Sequence, residues 1–162
     1  MTEMLKRLEA TVTAYKKDGC YSFVWAGDAW VPDSDKEKCG FDFRRINGAV
    51  QMKVTLLDET GDGLHFARPV RDGMRVCLWK DRKQDKDRWK DMGSYGKPFS
   101  ESGVWPIEGD SDQAAPKKYK FRDENDDGEH FAFICVFQTS KGALVLEDDP
   151  RIMNRGDDLH DA

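Results

Sequence analysis

Thr2-Glu3-Met4-Leu5-Lys6-Arg7-Leu8-Glu9-Ala10-Thr11-Val12-Thr13-Ala14-Tyr15-Lys16-Lys17 is the stretch whose reading sets the fold class. Leu5, Leu8, Val12 and Tyr15 recur at helical spacing on one face, with Lys6, Arg7 and Glu9 on the other. Lys16 and Lys17 suit the negative end of a helix dipole, and Gly19 supplies a stop. The spacing predicts an amphipathic helix over 2–17, whose apolar stripe needs a surface to cover, most simply a sheet.

From Cys20 onward the period changes to two. Tyr21 to Trp25 reads as a strand, Gly27-Asp28 breaks it, and Ala29-Trp30-Val31 continues after the break. Phe41 to Ile46 and Ala49 to Leu57 flank Asn47-Gly48, which predicts a two-residue hairpin because both central residues of a type I′ turn need positive φ. Leu64 to Val70 and Met74 to Trp79 form a further pair around Asp72-Gly73. Tyr119 to Arg122, Glu129 to Phe137 and Ala143 to Leu146 complete the strands. The stretch 82–102 carries Gly93, Gly96 and Pro98, which exclude a long regular element there, and 110–116 reads as a second loop.

The expected fold is therefore α+β. A mostly antiparallel sheet, curled into a barrel or paired as a sandwich, is covered by one N-terminal helix. Residues 1–150 form the domain, and 151–162 read as a polar, flexible tail. A duplicated hairpin unit is a further expectation. Asp58-Glu59-Thr60-Gly61-Asp62-Gly63-Leu64-His65-Phe66-Ala67 recurs as Asp123-Glu124-Asn125-Asp126-Asp127-Gly128-Glu129-His130-Phe131-Ala132, with seven of ten positions identical. Each copy is followed by a strand, a turn ending in glycine (Gly73, Gly142) and another strand.

Composition narrows the function classes. The chain has 162 residues, 35% of them charged, 38% hydrophobic and 11% aromatic. That describes an aromatic core under a charged skin and opposes disorder. A net charge of −5 with both signs abundant does not advertise a nucleic-acid backbone as partner. No apolar run reaches the length of a membrane span, and the N-terminal residues lack a leader pattern, so a cytoplasmic protein without a membrane partner is expected. Cys20, Cys39, Cys77 and Cys135 are widely spaced and form no Cys-x-x-Cys pair, which speaks against structural zinc. Cys77 and Cys135 stand in apolar strand-like runs, as buried thiols do in a reducing compartment.

Three sets of residues are candidates for chemistry. The first is the acidic turn Asp123-x-Asn125-x-Asp127-Gly128, which presents oxygens at alternate positions as calcium loops do. Its twelfth position is Ile134 rather than a bidentate glutamate, and Asp-rich turns ending in glycine are ordinary hairpin connections, so the expectation is no cofactor, with calcium as the alternative. The second set is His65 and His130, at matching places in the repeat, where a general base and a general acid could serve one phosphoryl centre. This arrangement resembles the two-histidine phosphoesterases, and the resemblance would make both histidines catalytic. Ala67 and Ala132 stand where that family carries a hydroxyl residue.

The third set lies in the charged, ring-bearing stretch from Trp79 onward: Arg82, Arg88, Trp89, Tyr95, Phe99 and Trp105. Trp, Tyr and Arg on loops are the residue types that anchor protein interfaces. Cations interleaved with rings also suit single-stranded nucleic acid, although Asp81, Asp85, Asp87 and Asp91 dilute the positive field. No nucleophile–base pair, phosphate-cradling glycine loop or nucleotide fingerprint occurs. The leading expectation is a non-catalytic module that binds a macromolecule, most simply a protein, through those loops. A single-strand binder with an acidic tail and a two-histidine phosphodiesterase are the alternatives.

Overall fold

The computed structural model describes residues 5–32, 40–68, 73–78, 104–107, 115–125, 130–147 and 151–153. Among these residues there are twelve strands and no helix. The N-terminal stretch is β1 (Lys6–Lys17), a twelve-residue strand, so the fold of the described residues is all-β and the expected α+β fold with an N-terminal helix is overturned. Its buried residues are Leu8, Ala10, Val12 and Ala14, at a period of two. The helical stripe drawn through Leu5, Leu8, Val12 and Tyr15 took two of its members from the opposite parity. Thr11, Val12, Thr13 and Tyr15 are β-formers. Gly19 closes a hairpin rather than a helix: Asp18 (φ 53°) and Gly19 (φ 79°) make a two-residue turn into β2 (Cys20–Gly27), with Lys17 opposite Cys20.

The remaining strands are β3 (Trp30–Val31), β4 (Gly40–Asp42), β5 (Val50–Asp58), β6 (His65–Phe66), β7 (Met74–Leu78), β8 (Val104–Ile107), β9 (Lys118–Asp123), β10 (His130–Gln138), β11 (Leu144–Leu146) and β12 (Arg151–Met153). One sheet has the order β2-β1-β5-β9-β8, with β1 and β5 parallel. The second runs β11-β10-β12-β4-β3, with β6 and β7 on β10.

Two expected hairpins take other forms. Asn47-Gly48 links β4, which pairs with β3 and β12, to β5, which pairs with β1 and β9. The type I′ hairpin expected there does not form: Gly48 alone has positive φ (102°), and the connection carries the chain between sheets. β6 and β7 likewise do not face each other. Both run antiparallel to β10, with Phe66 opposite Phe137 and Met74 opposite Cys135. Val136 bonds to both, its carbonyl accepting from the Ala67 amide (2.9 Å) and its amide donating to the Gly73 carbonyl (3.0 Å). They are one interrupted strand. Arg151–Met153, read from sequence as the start of a polar tail, are β12, with Ile152 and Met153 buried. The acidic residues before it and the polar residues after it hid a short apolar strand.

The sequence repeat is not a duplicated hairpin unit: β6 and β7 lie in line on β10, whereas β10 itself turns back at Gly142 into β11. β5 runs antiparallel to β9 in one sheet, and β6–β7 run antiparallel to β10 in the other. Asp58 ends β5 ahead of β6 in the facing sheet, and Asp123 ends β9 ahead of β10 in the facing sheet. The corners share one device: Asp58 Oδ1 accepts from the Thr60 amide, and Asp123 Oδ1 from the Asn125 amide, each at 2.9 Å.

Between the sheets lies a core dominated by phenylalanine. Phe41, Phe43, Phe66, Phe121, Phe131, Phe133 and Phe137 are fully buried. Phe41 is central, with ring centroids of Trp25, Trp30, Phe43, Phe121 and Phe133 between 5.1 and 6.2 Å away. On one side the sheets are bridged, because the Phe66 amide donates to the Pro116 carbonyl (2.8 Å) just ahead of β9. On the other side β2 ends its sheet.

Candidate functional site

β2 reads Cys20-Tyr21-Ser22-Phe23-Val24-Trp25-Ala26-Gly27 and contains neither a charge nor a proline. Tyr21, Phe23 and Trp25 point toward the core but remain half-buried, and Val24 on the outer face is 52% exposed. Phe23 stacks on Phe137 at 5.5 Å, and Trp25 stacks on Trp30 at 5.0 Å. Along β2 the rings therefore close the gap between the sheets while keeping part of their surface in water.

Backbone direction follows from the turn and the ladder. In a two-residue hairpin the flanking pair is hydrogen-bonded, and bonded pairs then alternate along an antiparallel ladder. Lys17–Cys20 starts that alternation, and the Asp28 amide, donating to the Glu9 carbonyl at 2.9 Å, closes it at the far end. Cys20, Ser22, Val24 and Ala26 thus bond to β1. The amides and carbonyls of Tyr21, Phe23 and Trp25 face outward from the sheet edge, and no described strand pairs with them.

Polar contacts fix both ends of this side. At one end the Tyr21 hydroxyl donates to Asp62 Oδ2, and Lys16 Nζ lies 2.6 Å from the same oxygen and 5.1 Å from the Tyr21 ring centroid. The hydrogen bonds from Lys16 and Tyr21 hold the Asp62 carboxyl below the usual carboxylate range. The same bonds raise the Lys16 and Tyr21 values, each chiefly through its bond to Asp62. Toward the other end, Trp25 Nε1 donates to Glu147 Oε2, and Glu147 is buried. Burial pushes the Cys135 thiol well up, and the neighbouring Glu147 carboxylate pushes it further. Cys135 is a buried free thiol, as its apolar surroundings in the sequence predict, whereas Cys20 is free and exposed.

Arg82, Arg88, Trp89, Tyr95 and Phe99 lie outside the described residues, as does Asp127. Trp105 stands on β8, its backbone opposite Arg122 of β9. His65 is opposite Gln138 at the end of β10 and His130 begins the same strand, so the two are about 26 Å apart along it. That spacing does not bring the histidines to one reacting centre. His65 Nδ1 lies 2.8 Å from the Phe66 carbonyl.

Asn125 is buried, and its Nδ2 donates to the carbonyls of Phe43 (2.9 Å), Ile46 (3.1 Å) and Gly48 (3.2 Å). Its amide nitrogen is thereby committed to fastening the connection between the two sheets. Among the described residues no group of three or more His, Cys, Asp or Glu could hold a metal ion. The β2 side was missed at the sequence level, although a signal was present. An eight-residue run without charge, in a chain 35% charged, is an interior strand or an edge kept clear for pairing.

No protein-family model matches the chain, and no curated protein matches it. No described helix is long and apolar enough to cross a membrane.

Proposed function

We propose that this protein is a non-catalytic binding module for a protein partner, and that the partner adds an extended strand to the edge of β2 that no described strand covers. The observation that carries this reading is the contrast among the sheet edges. Long, uncharged edges invite pairing with another chain, and proteins blunt them with shortness, proline or charge. β8 carries Pro106, β7 carries Arg75, β3 has two residues and β11 has three. β2 has eight residues and none of these devices.

Strand addition draws affinity from main-chain hydrogen bonds and specificity from alternate side chains. Here the outward amides and carbonyls of Tyr21, Phe23 and Trp25 supply the first. Their half-buried rings supply apolar contact for every second side chain of the partner. The test places a photo-crosslinking residue at Val24 in the native host. Adducts with protein that survive nuclease, and that disappear when Ser22 and Val24 are both replaced by lysine, are expected. Adducts with nucleic acid, or adducts unchanged by those lysines, would refute the reading.

A further inference from the structure

The geometry points to a second copy of this chain as the strand that pairs with β2, forming an antiparallel β2–β2 dimer about a two-fold axis through Phe23. This rests on the reading of β2 as a strand-adding edge and names the occupant.

Three observations on β2 select a copy of itself. The outward-bonding residues Tyr21, Phe23 and Trp25 are spaced evenly about Phe23, so a two-fold there places Phe23 opposite Phe23 of the copy and Tyr21 opposite Trp25. Residues that direct their backbone groups outward form the hydrogen-bonded pairs of a new antiparallel ladder. These three positions therefore exchange about six backbone hydrogen bonds across the axis, while aromatic faces aromatic on the inner face. Second, no charged residue falls between Cys20 and Gly27, so the ladder itself is free of charge; Asp28 meets Asp18 of the copy only in the turns beyond it, where both carboxylates are open to water, and each chain carries a net charge of −5. Third, tight turns at Asp18-Gly19 and at Asp28-Ala29 bound the strand on both sides. In the Phe23-centred register Gly27 meets Gly19 of the copy, where neither residue has a side chain to clash.

A strip of this length lies at the low end of stable interface sizes, so micromolar self-association is the expected strength. The register makes a specific demand on the outer face, where Ser22 of one copy lies directly opposite Val24 of the other, twice per dimer. S22K/V24K places lysine against lysine at both positions, and S22E/V24K places glutamate against lysine.

The experiment is sedimentation equilibrium on the full chain, from micromolar to millimolar, for the native protein and both double variants. A monomer–dimer equilibrium is expected in the native chain, weakened about tenfold in S22K/V24K and restored to native strength or better in S22E/V24K. A native chain that stays monomeric throughout overturns the proposal, and so does a dimer that both variants leave unchanged. Should S22K/V24K not fold, amide exchange of the native chain decides. Protection at Tyr21, Phe23 and Trp25 that grows with concentration is expected, and exchange independent of concentration overturns it. Val24 adducts with other proteins from a strictly monomeric chain would remove the second copy and leave strand addition standing. The absence of both would remove both.

Discussion

Replacing Asn125 with alanine removes the donor that holds three carbonyls of the 43–48 connection. The carbonyls of Phe43 and Gly48 are then left buried without it. Two N–H groups serve these three carbonyls, so at about 1 kcal/mol net per hydrogen bond the lost amide costs about 2 kcal/mol. Asn125 also has a φ of 57°, a left-handed conformation that costs alanine about 1 kcal/mol and glycine almost nothing. N125A is therefore expected to lose about 3 kcal/mol and N125G about 2 kcal/mol. For a domain of this size, the alanine variant should melt about 10 °C lower. Urea unfolding followed by tryptophan fluorescence measures both, with the native chain and each variant run in calcium and in chelator. A loss below 1 kcal/mol in N125A, or an N125G less stable than N125A, would refute the structural role. A native stability that rises with calcium while the variants' stability does not would return Asn125 to the ligand role that its turn suggested.

Acid should weaken the fold through Asp58. Burial works to raise its pKa, but bonds from the Thr60 hydroxyl (2.6 Å), the Thr60 amide (2.9 Å) and the Leu64 amide (2.8 Å) outweigh it and hold the carboxyl below its ordinary value. A depressed folded-state pKa contributes stability above the unfolded value, about 3.9, and that contribution is lost as pH falls through the folded value. Melting temperature should therefore decline below about pH 4, and less steeply in D58N; an identical acid slope in D58N would contradict the assignment. Gly27 should tolerate no side chain, because a Cβ there would lie 2.5 Å from Ala10 Cα and 2.7 Å from the Glu9 carbonyl oxygen at a φ of 140°. G27A should cost about 3 kcal/mol. G19A, with open space around it, should cost about 1 kcal/mol. Equal urea midpoints for the two variants would show that β1 and β2 can part to make room.

Sequence reading located most strands because their parity was strong. Met52, Val54 and Leu56 alternate with Lys53, Thr55 and Leu57, and Phe131, Phe133, Cys135 and Phe137 line one face of β10. It failed at β1, where two of the four inward residues are alanines, weak markers for any period. Asp18-Gly19 is the two-residue turn that was instead expected at Asn47-Gly48, but a glycine after a presumed helix reads as a stop. Which strands Asn47-Gly48 would join was not legible, since sheet membership depends on long-range pairing that no local signal encodes. The duplicated acidic corner was legible because backbone hydrogen bonding fixes Asp at the first position and a small polar residue two places on. The β2 edge was not, because an uncharged strand reads alike whether its neighbour is in the same chain or in another.

The pairing of Arg151–Met153 with Gly40–Asp42 carries a consequence for how the protein is made. The two strands leave the ribosome more than a hundred residues apart, about 5 to 20 s at ordinary rates of synthesis. Through that interval Phe41 has its rings at Trp25, Trp30 and Phe43 to lean on but lacks both Phe133 and the strand that completes its sheet. The growing chain thus carries an aromatic cluster and the unpaired edge of β4 until β12 arrives. Translation speed and chaperone occupancy, as much as equilibrium stability, then govern how much of it reaches the native state.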